Sequence, residues 1–268
     1  MLRLKLAGDD VVLTPPLKWA GGKRWLVRHI EPFWREHQAR RYVEPFCGGL
    51  AVALGLRPER ALLNDLNPHL VNFYKQIQSG LSLKIEARYD KKLFYSHRAH
   101  FNYLVASGLA NTKDAAQLFY YLNRTCYNGL CRFNLNGEFN VPFGLYRTVN
   151  YATDFSAYRR LFQGWKFANQ DLEKLAIDSK DFVYADPPYD VEFTTYSAGG
   201  FSWDDQVRTA EWLAKLHGPV LLSNQATARI VRLYRRLGFR LRFLDAPRRI
   251  SCNGNRTAAR EVLASRNL

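Results

Sequence analysis

The segment Asp181-Phe182-Val183-Tyr184-Ala185-Asp186-Pro187-Pro188-Tyr189 decides the fold of this chain. Its apolar run from Phe182 to Ala185 predicts a buried strand. Proline has no backbone N–H and keeps the preceding residue out of the helical region, so the strand must end at Asp186 and present this acid at its carboxyl end. In open α/β sheets, ligands bind at that edge. The sequence therefore places a carboxylate where an α/β sheet binds its ligand.

The turn that follows this strand suits an exocyclic aromatic amine. Asp186 can accept one amine hydrogen, the Pro187 carbonyl can accept the other, and Tyr189 can stack on a flat heterocycle. Such an amine is a poor nucleophile because its lone pair is delocalised into the ring. Two acceptors would draw the nitrogen towards tetrahedral geometry and free the lone pair for in-line attack on an electrophile. We therefore predict that these three residues are catalytic. A proline turn that merely carries a surface acid and a tyrosine is the alternative.

The composition indicates a globular and strongly basic protein. Apolar residues make up 47% of the 268 residues and charged residues 24%, which excludes a disordered chain. The chain has 39 Lys and Arg against 24 Asp and Glu, a formal net charge of +15. This excess favours a polyanionic partner such as nucleic acid, with generic basicity as the alternative.

The cysteines and the apolar runs exclude several other classes. Cys47, Cys126, Cys131 and Cys252 form no CxxC pair and have no clustered histidines near them, so neither a zinc site nor a disulfide framework is predicted. A reduced intracellular setting is the simplest account. No apolar run approaches the ~20 residues of a membrane span. We therefore expect a soluble cytoplasmic protein with no membrane partner and no metal ion.

A strand, a glycine turn and a helix follow one another in residues 41–56, with the turn at Cys47-Gly48-Gly49. This order is the nucleotide-cradling unit of Rossmann-like sheets. The next apolar run ends at Asp65, 21 positions after Glu44, an interval that suits an acid binding two ribose hydroxyls. The unit predicts cofactor contacts at Glu44, Phe46, Gly48 and Asp65.

An earlier loop, Pro16 to Lys23, also carries glycines. Gly21 and Gly22 permit close approach of the backbone to a ligand. Trp19 and Lys23 add a stacking face and positive charge. A plain turn is the alternative for this loop.

Residues 75–156 differ in character from the α/β pattern on either side. We predict a catalytic domain made of residues 1–74 and 157–268, and a largely helical DNA-recognition insert at 75–156. Within the insert, residues 130–141 predict a β-hairpin whose Asn136-Gly137 turn has positive φ at both positions. A two-stranded ribbon fits the major groove of DNA, where Arg132 could contact guanine O6 and N7. A hairpin without bound nucleic acid is the alternative.

The α/β pattern continues after the central strand. Ser202 is predicted to cap a helix that begins at Asp204, with Asp205 completing a capping box. Residues 219–224, 239–244 and 261–264 predict further strands. The loop at 190–203 could move over a substrate, and the basic turn at 248–256 could hold phosphates.

Five motifs occur in an order that resembles a known family. They are KWAGGK at residues 18–23, EPFCGG at 44–49, ND at 64–65, YLNRTCYNGLCRFNLNGEFNVPFG at 121–144 and DPPY at 186–189. Together they resemble the Dam-type adenine-N6 DNA methyltransferases of the D12 class, alpha group. In that group the cofactor motifs precede the recognition insert and DPPY follows it. The resemblance spans nearly the whole chain.

The resemblance implies a Rossmann-like, mostly parallel sheet of seven strands that uses S-adenosyl-L-methionine to methylate adenine N6 in GATC sites of double-stranded DNA. Adenine would leave the base stack to react, since its amino group is inaccessible inside the duplex. The implied cofactor contacts are Trp19, Lys23, Asp65 and Asp186, with Asp186 as the catalytic acid and Tyr189 stacking on the flipped base. The implied DNA-reading and wedging residues are Lys18, Tyr127, Asn128, Leu130, Arg132 and Pro142. We expect a monomer on DNA, associated with the nucleoid of a bacterial or phage-infected cell.

Three features depart from that family. Leu50 stands where the family usually has glycine, Leu145 stands where a basic residue is common, and the loop after Tyr189 is short. Two other activities are alternatives to adenine methylation of DNA. One is methylation of cytosine N4 or of an adenine in RNA, and the other is DNA binding without catalysis.

Overall fold

One seven-stranded sheet organises residues 12–190, 200–246 and 259–268, the parts of the chain that the computed structural model describes. The strands are β1 (Tyr42–Glu44), β2 (Ala61–Asn64), β3 (Trp165–Ala168), β4 (Phe182–Ala185), β5 (Val220–Gln225), β6 (Arg240–Ala246) and β7 (Ala259–Arg266). Their order is β3-β2-β1-β4-β5-β7-β6. The first five in this order are parallel, and β7 runs antiparallel to both β5 and β6. The predicted seven-stranded, mostly parallel α/β sheet is confirmed.

Eight α-helices connect and cover these strands within the described residues. They are α1 (Val27–Glu36), α2 (Ala51–Leu56), α3 (Pro68–Gln78), α4 (Lys91–Ala106), α5 (Lys113–Thr125), α6 (Ser156–Phe162), α7 (Trp203–Ala214) and α8 (Ala228–Arg236). Asn67, Asp90, Thr112, Ser202 and Thr227 each cap a helix by accepting a hydrogen bond from a first-turn amide. Such caps contribute about 1 kcal/mol each. The predicted capping box of Ser202 and Asp205 is confirmed. No helix in the described ranges has the length and apolarity that crossing a membrane requires.

The central strand β4 lies between β1 and β5 and is buried along its whole length. It begins at Phe182 and ends at Ala185, as the sequence predicts. Side chains of a strand alternate between its two faces. Tyr184 therefore packs in the core cluster that includes α1 and the helical insert, whereas Val183 packs in the cluster under α7 and α8. Burial on both faces explains why β4 is an unbroken apolar run.

Residues 75–156 pack on the sheet domain through α3. The ring of Phe73 on α3 stacks on Tyr120 of α5 with centroids 5.5 Å apart, and Phe155 meets both rings edge-on. One core cluster includes buried residues of both segments. The predicted domain boundary at residue 74 falls inside α3, and the division into two domains stays a prediction.

The predicted hairpin is present in a shorter form than expected. Phe133 and Phe139 form an isolated bridge, and the Asn134 amide donates to the Glu138 carbonyl at 2.9 Å. Positive φ occurs at Gly137 but not at Asn136, so the prediction of positive φ at both turn positions is wrong. The reason is a three-residue loop closed by Asn134, whose side-chain oxygen accepts from the amides of Asn136 and Glu138. Such loops need only one left-handed residue, the glycine.

Candidate functional site

Four polar side chains from adjacent strands meet at one edge of the sheet. Tyr42, Tyr184, Leu221 and Leu263 belong to the same core cluster, on strands β1, β4, β5 and β7. The residues two positions away along these strands lie on the same face of the sheet. They are Glu44, Asp186, Ser223 and Glu261. Three of the four are acids, and the fourth, Ser223, donates a hydrogen bond to one of them. The parallel strands have their carboxyl ends at this edge, and the sequence predicts the ligand site at the same edge.

Asp186 is held by two partners. The Lys23 ammonium nitrogen lies 2.9 Å from its Oδ2, and the Ser223 hydroxyl donates to its Oδ1 at 2.8 Å. Ser223 in turn lies 2.8 Å from the Tyr184 hydroxyl. The Asp186 side chain remains 19% exposed. The carboxylate is therefore fixed in orientation, while part of it faces outward from the core.

Lys23 joins the glycine-bearing loop to this acid. Its ammonium donates to the Gly21 carbonyl at 3.0 Å and lies over the Tyr189 ring, 4.4 Å from the centroid. The residue is buried. One face of the Tyr189 ring thus carries a cation, which leaves the opposite face for a flat ligand.

Tyr189 is anchored at its far end by an acid from β7. Its hydroxyl donates to Oε1 of Glu261, a residue that is 4% exposed. Burial, with the charges of Asp186 and Glu261, raises the pKa of Tyr189, so the phenol keeps its proton at neutral pH. Burial also raises the pKa of Glu261, against the opposing effect of the nearby Lys23 charge. The other carboxylate oxygen of Glu261, Oε2, has no hydrogen-bond partner among the described residues.

The proline turn is fixed from the opposite side of the sheet. The buried Gln206 side chain on α7 donates to the Pro188 carbonyl at 2.7 Å. Asp190 pairs with Arg229 and accepts from the Thr227 hydroxyl, both at the start of α8. The Pro187 carbonyl forms no hydrogen bond within the described part of the chain. Of the two proline carbonyls, the predicted acceptor is the one left available.

The glycine turn after β1 is shaped by Trp19 and Asp65. The Gly48 and Asn67 amides donate to the two Asp65 oxygens at 3.0 and 2.9 Å. Trp19 packs so closely on the turn that a Cβ at Gly48 would lie 2.7 Å from its indole nitrogen. Burial raises the pKa of Asp65, and the two amides oppose that change. Asp65 therefore holds the turn and remains only half-buried, so it can still meet a ligand.

Glu44 is a buried acid with an unused oxygen. The Tyr42 hydroxyl donates to its Oε1 at 2.6 Å, and Oε2 has no hydrogen-bond partner in the ranges described. Burial raises the pKa of Glu44 to about 8, outweighing the effect of the Tyr42 hydrogen bond. An unpartnered buried carboxylate oxygen costs free energy unless a ligand donates to it. Phe46, half-buried, meets Phe201 edge-on with centroids 5.9 Å apart and offers an apolar wall nearby in the chain.

Lys18 joins the glycine-bearing loop to the motif at residues 121–144. The Asn123 side chain accepts from the Lys18 amide at 2.8 Å and donates to its carbonyl at 2.9 Å. The Lys18 ammonium donates to the Arg124 carbonyl at 2.8 Å and lies 3.4 Å from the Tyr146 ring centroid. Burial, and then the Arg124 charge, lowers the pKa of Lys18 to about 8.

The other predicted DNA-binding residues lie in one segment after α5. Tyr127 is 49% exposed, and its amide donates to the Pro142 carbonyl at 2.9 Å. Asn128 is exposed with φ of 52°, and Leu130 is half-buried. The Arg132 Nε donates to the Asn140 side chain at 2.8 Å. The segment passes close to Lys18 at Gly129, where an added Cβ would lie 2.3 Å from the Lys18 Cβ.

Several site residues have no counterpart among the residues that the sequence predicted. Ser223, Gln206 and Glu261 each hold a part of the proline turn. For two of them, the position in the sequence could have indicated a role in the site. Ser223 lies near the end of a predicted strand, and Glu261 is a single acid at the start of another. The predicted mobile loop (191–199 of it) and the basic turn at 248–256 lie outside the described residues. Among the residues that are described, no three His, Cys, Asp or Glu side chains form a group that could hold a metal ion.

Comparison with known proteins agrees with this geometry. A family model for D12 class N6 adenine-specific DNA methyltransferases matches residues 19–246. A DNA adenine methylase of Vibrio cholerae is 38% identical over 92% of this chain and 94% of its own length. The DNA adenine methylase of Escherichia coli K12 is 33% identical over 92% and 93%. A DNA N-6-adenine-methyltransferase of Escherichia phage P1 is 34% identical over 92% of this chain, which spans 34% of that longer protein.

Proposed function

Because this chain belongs to the D12 class of N6 adenine-specific DNA methyltransferases, and so methylates adenine N6 in DNA, we propose that its methyl donor is S-adenosyl-L-methionine and its target is adenine in GATC. The observation that carries the proposal is the Asp186 carboxylate, held at the sheet edge beside an available Pro187 carbonyl and the Tyr189 ring. These are the two acceptors and the stacking surface that an exocyclic amine requires.

The cofactor is proposed to bind along the edge from the glycine turn to Asp186. S-adenosylmethionine, when bound, supplies an electrophilic methyl group on a positively charged sulfur. The acidic character of this edge and the unpartnered oxygen of Glu44 fit a cationic ligand that carries hydrogen-bond donors. The residues that would hold it are Trp19, Lys23, Glu44, Phe46, Gly48, Asp65 and Asp186.

The reaction then depends on what the turn does to the amine. Asp186 accepts one amine hydrogen and the Pro187 carbonyl accepts the other, which draws the nitrogen lone pair out of conjugation. As the nitrogen forms its bond to the methyl carbon, the carbon–sulfur bond of the donor would break and its electron pair would stay on sulfur. The nitrogen would then release one hydrogen as a proton, which the Asp186 carboxylate is positioned to accept. Orientation and fixed charge supply most of the rate in such a site.

The target adenine is proposed to leave the DNA stack to reach this site. Unstacking costs a few kcal/mol, which the stacking face of Tyr189 offsets in part. The residues proposed to contact or wedge the DNA are Lys18, Tyr127, Asn128, Leu130, Arg132 and Pro142. The net charge of +15 supports binding to the phosphate backbone. We also propose that the protein acts as a monomer on DNA in a bacterial or phage-infected cell, a setting in keeping with its bacterial and phage relatives.

One experiment tests reaction and specificity together. Purified protein and S-adenosylmethionine are incubated with a plasmid library of random sequence, and the modified bases are mapped at single-base resolution. The proposal expects N6-methyladenine in GATC and none with Asp186→Ala. Methylation of adenine in another sequence would refute the GATC assignment alone. Methylated cytosine, or unchanged activity of Asp186→Ala, would refute the proposed chemistry.

A further inference from the structure

Glu261 occupies a rigid position beside the proposed base-binding ring. It lies on β7, where it is opposite Gln225 of β5 on one side and Leu244 of β6 on the other. A residue paired on both sides of its strand has a fixed backbone. Tyr189, by contrast, follows two prolines beyond the end of β4. The hydrogen bond from the Tyr189 hydroxyl to Glu261 therefore connects a turn to a strand that is paired on both sides.

This hydrogen bond restricts the orientation of the Tyr189 ring, on which stacking with a base depends. A tyrosine ring has two side-chain torsions, and holding the phenol oxygen restricts the first of them. The phenol hydrogen prefers to lie in the plane of the ring, so the direction from the hydroxyl to the Glu261 acceptor also favours one ring plane. Lys23 lies over one face of the ring. A base can then stack only on the opposite face, in an orientation that the sheet determines.

We propose that Glu261 is a positioning residue that sets the plane of the Tyr189 ring for the target base, a role that rests on the function proposed above. Stability alone gives a poor account of this acid. Glu261 is buried, and Oε2 lacks a partner in the described part of the chain, an arrangement that usually destabilises a fold. An apolar side chain of similar size would avoid that penalty. We therefore attribute the presence of an acid at this position to its hydrogen bond with the Tyr189 hydroxyl.

The test compares three variants that keep the Tyr189 ring. Glu261→Gln retains an acceptor oxygen, Glu261→Leu removes it, and Tyr189→Phe removes the donor. Each is assayed for kcat, for DNA Kd and for emission from a duplex carrying 2-aminopurine at the target position. Thermal unfolding with and without S-adenosylmethionine shows that each variant is folded. Tyr189→Leu serves as the control in which the stacking ring itself is lost.

Loss of one hydrogen bond to a charged group corresponds to about a tenfold change. We therefore expect Glu261→Leu and Tyr189→Phe each to lower kcat about tenfold, with DNA Kd little changed and 2-aminopurine emission raised because stacking is weaker. The double variant should be no worse than either single variant, and Glu261→Gln should resemble the wild type.

Two outcomes separate failure of this inference from failure of the proposed function. If Tyr189→Leu changes kcat and emission but Glu261→Leu does not, Tyr189 stacks on the base and Glu261 does not position it. If Tyr189→Leu itself behaves as the wild type, the stacking role in the proposed function is wrong. Additive effects of the two changes in the double variant would also overturn the inference.

Discussion

The Lys23 ammonium group lies 2.9 Å from the Asp186 carboxylate, and the Lys23 side chain is 4% exposed. The pair joins the first glycine-bearing loop to the carboxyl edge of the central strand. A buried charge that loses its partner is strongly destabilising, whereas loss of both members of a pair is often tolerated. Asp186, the proposed catalytic acid, is therefore also a structural partner of Lys23, and its variants require a stability control.

Asp186→Ala should abolish methylation and also destabilise the protein by about 3 kcal/mol, because it leaves the Lys23 charge unpaired. The double variant Asp186→Ala with Lys23→Met should recover most of that stability and remain inactive. Urea unfolding and a methyl-transfer assay measure the two effects. A double variant no more stable than Asp186→Ala would show that the ion pair is not the source of the loss.

Glu44 should make the stability of the protein depend on pH. Its folded pKa of about 8 lies above the ordinary value of 4.5, so the folded state binds the proton more tightly. The resulting stability is fully present below about pH 4.5 and is lost as the pH rises to about 8. Relative to Glu44→Gln, the wild type should lose about 2 to 5 kcal/mol across this window. Urea unfolding of both proteins from pH 5 to pH 8.5 tests this, and parallel profiles would contradict it.

At position 50, glycine should give a more stable protein than alanine, the reverse of the usual order within a helix. Leu50 is buried and adopts φ of 63° and ψ of 25° at the start of α2, a left-handed conformation that costs a non-glycine residue about 1 kcal/mol. Leu50→Ala and Leu50→Gly remove the same contacts of the side chain beyond Cβ. We expect Leu50→Gly to be the more stable by about 1 kcal/mol. Ala53→Gly, inside the same helix, should instead destabilise the protein. If the same residue, alanine or glycine, gave the more stable protein at both positions, the argument would be refuted.

Arg132 should control which sequence is methylated. Its Nε is held by Asn140, and its terminal nitrogens have no partner among the described residues, which leaves them free to contact a base edge. Arg132→Ala should cost about 1 to 3 kcal/mol for the cognate duplex and much less for duplexes altered at one base pair. Asn140→Ala should have the same pattern with a smaller effect. The comparison of kcat/KM across these duplexes decides the point, since a uniform loss would indicate a phosphate contact.

Leu145 should be a position at which DNA affinity can be increased. It is 89% exposed and directly follows the motif at residues 121–144. Leu145→Arg should tighten DNA binding and steepen the dependence of log Kd on log salt concentration by about 0.9, the effect of one phosphate contact. Leu145→Gln is the neutral control. Equal slopes for the two variants would place this residue away from the DNA.

Local features of the sequence predicted the fold well. The strand at Phe182–Ala185 was correct at both ends because two prolines stop it, and the cap at Ser202 was correct because its partner lies three residues away. The hairpin turn was wrong because Asn134 closes a longer loop, which the Asn-Gly pair alone does not reveal. Signals within a few residues were sufficient where the local chain determines the structure.

The parts of the site that were missed depend on distant strands. Ser223 and Glu261 meet the proline turn only because β4 lies beside β5 and β5 beside β7. That strand order follows from the packing of the whole sheet and leaves no mark in the spacing of motifs. The proposed ligand contacts Asp186, Pro187 and Tyr189 could thus be named from the sequence, whereas the residues that hold them in place could not.

The double hydrogen bond between Asn123 and the main chain of Lys18 couples the end of α5 to the loop that carries Lys23. Five residues later, Lys23 of the same loop pairs with Asp186, the proposed catalytic acid. A poorly matched duplex that shifted Lys18 would weaken the contact between Lys23 and Asp186. Errors in reading DNA would then appear as slow turnover even when the wrong sequence is bound tightly.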